Sequence, residues 1–122
     1  MPPLTPMEML SLFLPADMLD YFDLVNHVSQ ETCFILFLEE KPSIPQEYSH
    51  LHLHSKGFFP EIEVQDFPIR SKAVYLRVRR RHWEDPETGQ TYSRDWNLVA
   101  SGTRITAEFG AFLKALLRQA CR

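Results

Sequence analysis

Guanidinium groups at alternate positions give this chain its clearest chemistry. The stretch Val74-Tyr75-Leu76-Arg77-Val78-Arg79-Arg80-Arg81-His82-Trp83 reads as part of one strand running from Ala73 to Trp83. Side chains alternate faces along a strand, so Val74, Leu76 and Val78 belong to a core. Tyr75, Arg77, Arg79, Arg81 and Trp83 then share the opposite face, a ladder of arginines with an aromatic ring at each end. Like charges at that spacing repel unless an anion or nearby acids neutralise them. Phosphate oxygens accept paired hydrogen bonds from arginine, and rings stack on bases, so nucleic acid is one partner that fits. A solvated strand protected by its charge is the plainer reading.

Arg94 and Trp96, on a returning strand from Thr91 to Val99, join this face in one hairpin register. Shifted by one residue, Asp95 meets Arg79 or Arg81 instead and becomes an internal ion-pair partner; sequence leaves both registers open. With Arg80 and Arg104 added, the candidate DNA-contacting set is Arg77, Arg79, Arg80, Arg81, Trp83, Arg94, Trp96 and Arg104.

His50, His52 and His54 alternate with Leu51 and Leu53. On a strand their imidazoles would face one way, as in some zinc sites, but no carboxylate or thiol accompanies them at ligand spacing. A polar strand face is expected, with no metal and no cofactor. Nor does the chain carry a nucleophile-elbow sequence around any serine or a glycine-rich phosphate loop. Glu84, Asp85 and Glu87 crowd one turn, where solvent reaches them. The chain is not expected to be an enzyme.

Charge is segregated along the sequence. Residues 1–40 hold seven acids and no base, whereas residues 66–122 hold eleven bases against six acids, within a net charge of −3. A basic end of this kind can face a polyanion; alternatively the two ends neutralise each other inside the fold. The absence of any base before Lys41 argues against a signal peptide, and no apolar run reaches the roughly 18 residues of a membrane span. A cytoplasmic location is therefore expected, nucleoid-associated where the basic end meets DNA, with Cys33 and Cys121 as reduced thiols.

The elements that must position these residues follow from spacing and caps. Thr5-Pro6-Met7-Glu8 starts a helix, and Pro15 ends it and opens a second through Met18, Leu19 and Phe22. Thr32 to Leu38 is apolar enough for a central strand, pairing with Asp23 to Val28 across Ser29-Gln30-Glu31. Lys41 to Tyr48 is a loop. Leu51, Leu53 and Ile62, Val64 mark two further alternating runs, and Pro68 breaks the chain before the arginine strand. Asp85-Pro86-Glu87-Thr88-Gly89 is turn chemistry. Thr106 caps a final helix whose apolar face is Phe109, Phe112, Leu113, Leu116, Leu117 and Ala120, with Lys114, Arg118 and Arg122 opposite. The expectation is one α+β domain: short acidic helices over 1–22, an antiparallel sheet over 23–100 ending in a hairpin, and an amphipathic helix over 105–121.

The stretches Gln65 to Arg70, Val74 to Trp83, Arg94 to Ala100 and Gly102 to Phe109, with the start around Leu12-Phe13-Leu14-Pro15, resemble the N-terminal region of a group of bacterial insertion-sequence transposases. In such elements a short upstream frame encodes this region and a second frame encodes the catalytic part. The resemblance implies binding of double-stranded DNA at the element's terminal repeats, in support of a catalytic transposase subunit and with homo-oligomers allowed. Related transposases place a cysteine-ligated zinc finger after the basic strand, and this chain departs there, with no cysteine between Cys33 and Cys121. A protein-interaction module that docks on the catalytic subunit, with little DNA contact of its own, is the alternative.

Overall fold

The computed structural model describes residues 1–101 and 106–120, with Met7 described by its backbone alone. The architecture is α+β. Four strands, two on each side of a parallel seam, form the main sheet in the order β1 (Phe22–Ser29), β2 (Cys33–Glu40), β5 (Lys72–Arg79) and β4 (Ile62–Ile69). Strands β1 (Phe22–Ser29) and β2 (Cys33–Glu40) form the hairpin that alternation predicts, with a bulge between Leu24 and Asn26. Strand β2 is central, as its unbroken apolar run requires. Its other neighbour is β5 (Lys72–Arg79), and that pairing is parallel, with Cys33 opposite Ala73 and Glu39 opposite Arg79. The other described pairings are antiparallel, as expected; this one seam is parallel because two hairpins lie side by side.

Strand β4 (Ile62–Ile69) pairs antiparallel with β5 and forms the second hairpin. Pro68, expected to break the chain ahead of the arginine strand, lies inside β4, where pairing is interrupted between Asp66 and Ile69. Proline cannot donate to a ladder, and an interrupted stretch of an edge strand tolerates it. Arg70 and Ser71 turn the chain with φ of 54° and 63°.

Strand β5 ends at Arg79, and the chain leaves the main sheet at Arg80. Arg81–Glu84 is a separate strand, β6, in a second sheet of order β3-β6-β7 with β3 (His54–Phe58) and β7 (Thr91–Ser93). The expected single strand from Ala73 to Trp83 is therefore two strands in two sheets. The turn over 85–89 holds, with Gly89 at φ 74° and Asp85 Oδ1 accepting from the Glu87 N–H.

The helices cover one face of the main sheet. Helix α1 (Pro6–Ser11) is capped by Thr5, whose hydroxyl accepts from the Glu8 N–H at 3.1 Å. Helix α2 is a single turn, Met18–Tyr21, so Phe22 starts β1 instead of continuing the helix. Helix α3 (Trp96–Ala100) replaces most of the expected returning strand, because Asp95 Oδ1 accepts from the Leu98 N–H and nucleates a turn. Helix α4 (Ala107–Ala120) starts at Thr106, whose hydroxyl accepts from the Phe109 N–H. Phe109, Phe112, Leu113 and Leu116 of α4 are buried in one cluster with Leu38, Val64, Val74, Leu76 and Val78 of the sheet. Leu14, Met18, Phe22 and Trp96 complete it. No described helix is long and apolar enough to cross a membrane.

Candidate functional site

Alternation along β5 holds as far as Arg79. Val74, Leu76 and Val78 are fully buried, so Tyr75, Arg77 and Arg79 project from the face that points away from α4. The parallel register sets Ile35, Phe37 and Glu39 of β2 beside them, and β4 contributes Glu63 and Gln65. This face consequently alternates base with acid across strands. Arg77 donates from Nε to Glu63 Oε1 at 3.2 Å and lies over the Phe37 ring at 5.7 Å. Arg79 sits between Glu39 and Glu61, each with a carboxylate oxygen 3.7 Å away. Two guanidinium groups thus face three carboxylates. Cross-strand pairs of opposite sign relieve the repulsion that the arginine spacing alone would create.

The break at Arg80 redirects the rest of the arginine run. Phe59 N–H donates to the Arg80 carbonyl at 2.8 Å, and the Arg80 guanidinium lies 4.9 Å from the centre of the Phe59 ring. Beyond it, odd-numbered side chains turn inward. Arg81 lies over the Phe58 ring at 4.5 Å and reaches Ser55 Oγ, and Trp83 is only 1% exposed. An outward ladder ending in Trp83 does not form, because continuous parity along one strand is lost where the chain changes sheets.

Glu40 is the residue that gathers Arg81 and Arg94. It ends β2 on the inward parity and is completely buried. Its Oε1 accepts from the Arg81 N–H at 2.9 Å, its Oε2 accepts from Arg94 Nε at 3.0 Å, and its carbonyl accepts from Arg81 Nε at 3.0 Å. Arg94 also donates to the Ser43 carbonyl at 3.1 Å and lies near the rings of Tyr21 and Trp96. Burial pushes the Glu40 carboxyl above its ordinary range, and the hydrogen bonds and charges of Arg81 and Arg94 only partly oppose that. Trp96 stacks on Phe22 at 5.3 Å between centroids and is 4% exposed.

Arg94 and Trp96 therefore belong to the interior, and neither expected hairpin register occurs. Strand β7 pairs only Ser93, Tyr92 and Thr91 with β6, and Asp95 caps a helix instead of meeting Arg79 or Arg81. Arg104 lies outside the described residues. Of the seven expected contacts among the described residues, only Arg77 and Arg79 share a face open to a ligand.

Residues 50–52 lie outside any strand, and only His54 belongs to β3, so the three histidines do not form one strand face. Among the described residues no group of histidine, cysteine and carboxylate side chains is placed to hold a metal ion. Cys33 is a buried thiol that donates to Gln30 Oε1.

Sequence reasoning missed Glu40 as a hub. Its one signal in the sequence is the segregation of charge, with unbalanced acids through residue 40 and unbalanced bases after residue 66. Compared with protein-family models, with curated proteins and with solved structures, the chain matches none.

Proposed function

We propose that this chain is a non-catalytic module of a bacterial transposase that works chiefly by docking on a separate catalytic subunit. The transposase part rests on the sequence resemblance. The emphasis on protein contact rests on one observation: the arginines that could have formed a free DNA ladder pair with Glu39, Glu40, Glu61 and Glu63. Guanidinium groups already paired with acids give up those partners when they meet phosphate, which lowers the net gain of DNA binding. A mixed-charge sheet face around Ile35, Phe37 and Tyr75 suits another protein better than a polyanion.

Direct DNA contact is a second reading, favoured by the common face of Tyr75, Arg77 and Arg79. The test uses the full chain, a catalytic transposase subunit from the insertion-sequence group that the chain resembles, and a labelled duplex carrying an end of that element. A stable complex of the two proteins in size-exclusion chromatography is expected, with no salt-dependent DNA binding by this chain alone. Absence of that complex, together with DNA binding whose log affinity falls with log salt at about −1.8, as roughly two neutralised phosphates at −0.9 each would give, establishes the DNA reading instead.

A further inference from the structure

The inner face of the main sheet is not completely covered by α4. Alanines at 111 and 115 face β4 from the helix, and beside them a hollow of about 370 Å³ opens, lined also by Val64, Asp66, Phe67 and Phe112. Glu108 stands at its helical end, one turn before Ala111 and Phe112. A second hollow of about 200 Å³ shares Asp66, Phe67 and Glu108 and continues to Leu12, Phe13 and Pro15 after α1. Three of its apolar residues are uncovered: Leu12 is 69% exposed, Phe13 58% and Phe67 79%. Contiguous large apolar side chains around a groove mark a contact surface more often than a bare exterior.

The two carboxylates in this groove differ from the other acids carried by the strands of the main sheet and from Glu61 just before β4. Asp23, Glu39, Glu40, Glu61 and Glu63 each pair with a lysine or arginine. Among the described residues, Asp66 and Glu108 have no ion pair. Glu108 Oε2 accepts only from the Ala16 N–H at 3.5 Å, and Asp66 is held by the Phe67 N–H. Burial, with the Glu108 charge adding to it, shifts the Asp66 carboxyl upward, as expected where an acid lacks a counter-charge.

We propose that the groove between α4 and β4 is the seat of a cationic amphipathic helix from a partner protein, its apolar face against Phe67, Phe13 and Leu12 and a lysine or arginine between Asp66 and Glu108. Apolar burial supplies affinity in such a helix-in-groove arrangement, and the carboxylate pair selects a cation. The proposal deepens the docking reading and rests on it, since the helix would belong to the catalytic subunit.

A labelled synthetic helix with leucines on one face and lysines at i and i+4 is titrated into the full chain, beside the same helix with glutamates replacing the lysines. Binding of the lysine helix alone is expected. The double variant Asp66→Asn, Glu108→Gln should weaken it by about tenfold, the loss that one desolvated charge contact typically brings. Glu31→Gln with Glu47→Gln removes the same net charge from exposed sites and should change little. Phe67→Ser, at an exposed position, should weaken binding without altering the melting temperature. No binding by the lysine helix, equal binding of both helices, or equal weakening by both double variants overturns the groove. If groove variants still form the complex with the catalytic chain undiminished, the docking reading survives and the groove assignment fails alone.

Discussion

Glu40 shows how one carboxylate can do work that looks, from sequence, like a task for many residues. Its oxygens accept from the main chain of Arg81 and the side chain of Arg94, so it ties the end of the main sheet to the start of the second one and to the segment before α3. Removing a buried partner leaves the other charge stranded, so Glu40→Ala should lower stability by about 3–5 kcal/mol. Glu40→Gln should cost less than Ala, because its amide oxygen keeps one of the two accepted hydrogen bonds and burial already disfavours the charged carboxylate, although its NH2 must face the other donor. With its folded pKa raised, Glu40 contributes stability that is full below the ordinary carboxylate range and is lost as pH rises through the raised value. Denaturant unfolding across pH should therefore show Gln gaining on the wild type as pH increases. Equal losses for Ala and Gln would contradict this account.

At the scale of elements, the link between β4 and β5 is a two-residue turn with Arg70 and Ser71 both in the left-handed region. Such turns suit Asn-Gly, and side chains other than Gly and Asn are strained there. Arg70→Asn with Ser71→Gly should therefore raise stability by about 1 kcal/mol, read as a shift in denaturation midpoint at unchanged slope. Elements whose own residues carry both pattern and punctuation were legible in the sequence: β2 by its apolar run, the 85–89 turn, and α1 and α4 by Thr5 and Thr106. Short elements defined by what they pack against were not. Trp96 fits strand alternation as well as a helix, and only Asp95 as a cap decides for α3. Trp83 keeps the parity of Arg77 and Arg79, and nothing in local pattern announces that the chain changes sheets at Arg80. The candidate site suffered accordingly, since each misplaced residue lies beyond that break or beyond Ser93.

For the molecule as a whole, segregation of charge along the chain becomes pairing in space. Acids from the first forty residues and from β4 and its approach meet bases from β5 onward, as in Glu39 with Arg79 and Glu40 with Arg94. The alternative of mutual neutralisation thus accounts for most of the arginine ladder. Among the described acids of the main sheet and α4, only Asp66 and Glu108 stand outside this pattern, and both line the proposed docking groove.

The parallel seam between β2 and β5 also sets an order in time. The hairpins β1–β2 and β4–β5 each close locally, whereas Cys33 must find Ala73 across the whole intervening chain. Non-local pairing of this kind is the slow event in folding, so each hairpin should be largely formed when the two meet. A better turn at 70–71 then stabilises the transition state as well as the native state. In stopped-flow experiments the Arg70→Asn, Ser71→Gly variant should fold faster and unfold at nearly the wild-type rate. A change confined to the unfolding limb would mean instead that the seam forms before the hairpin closes.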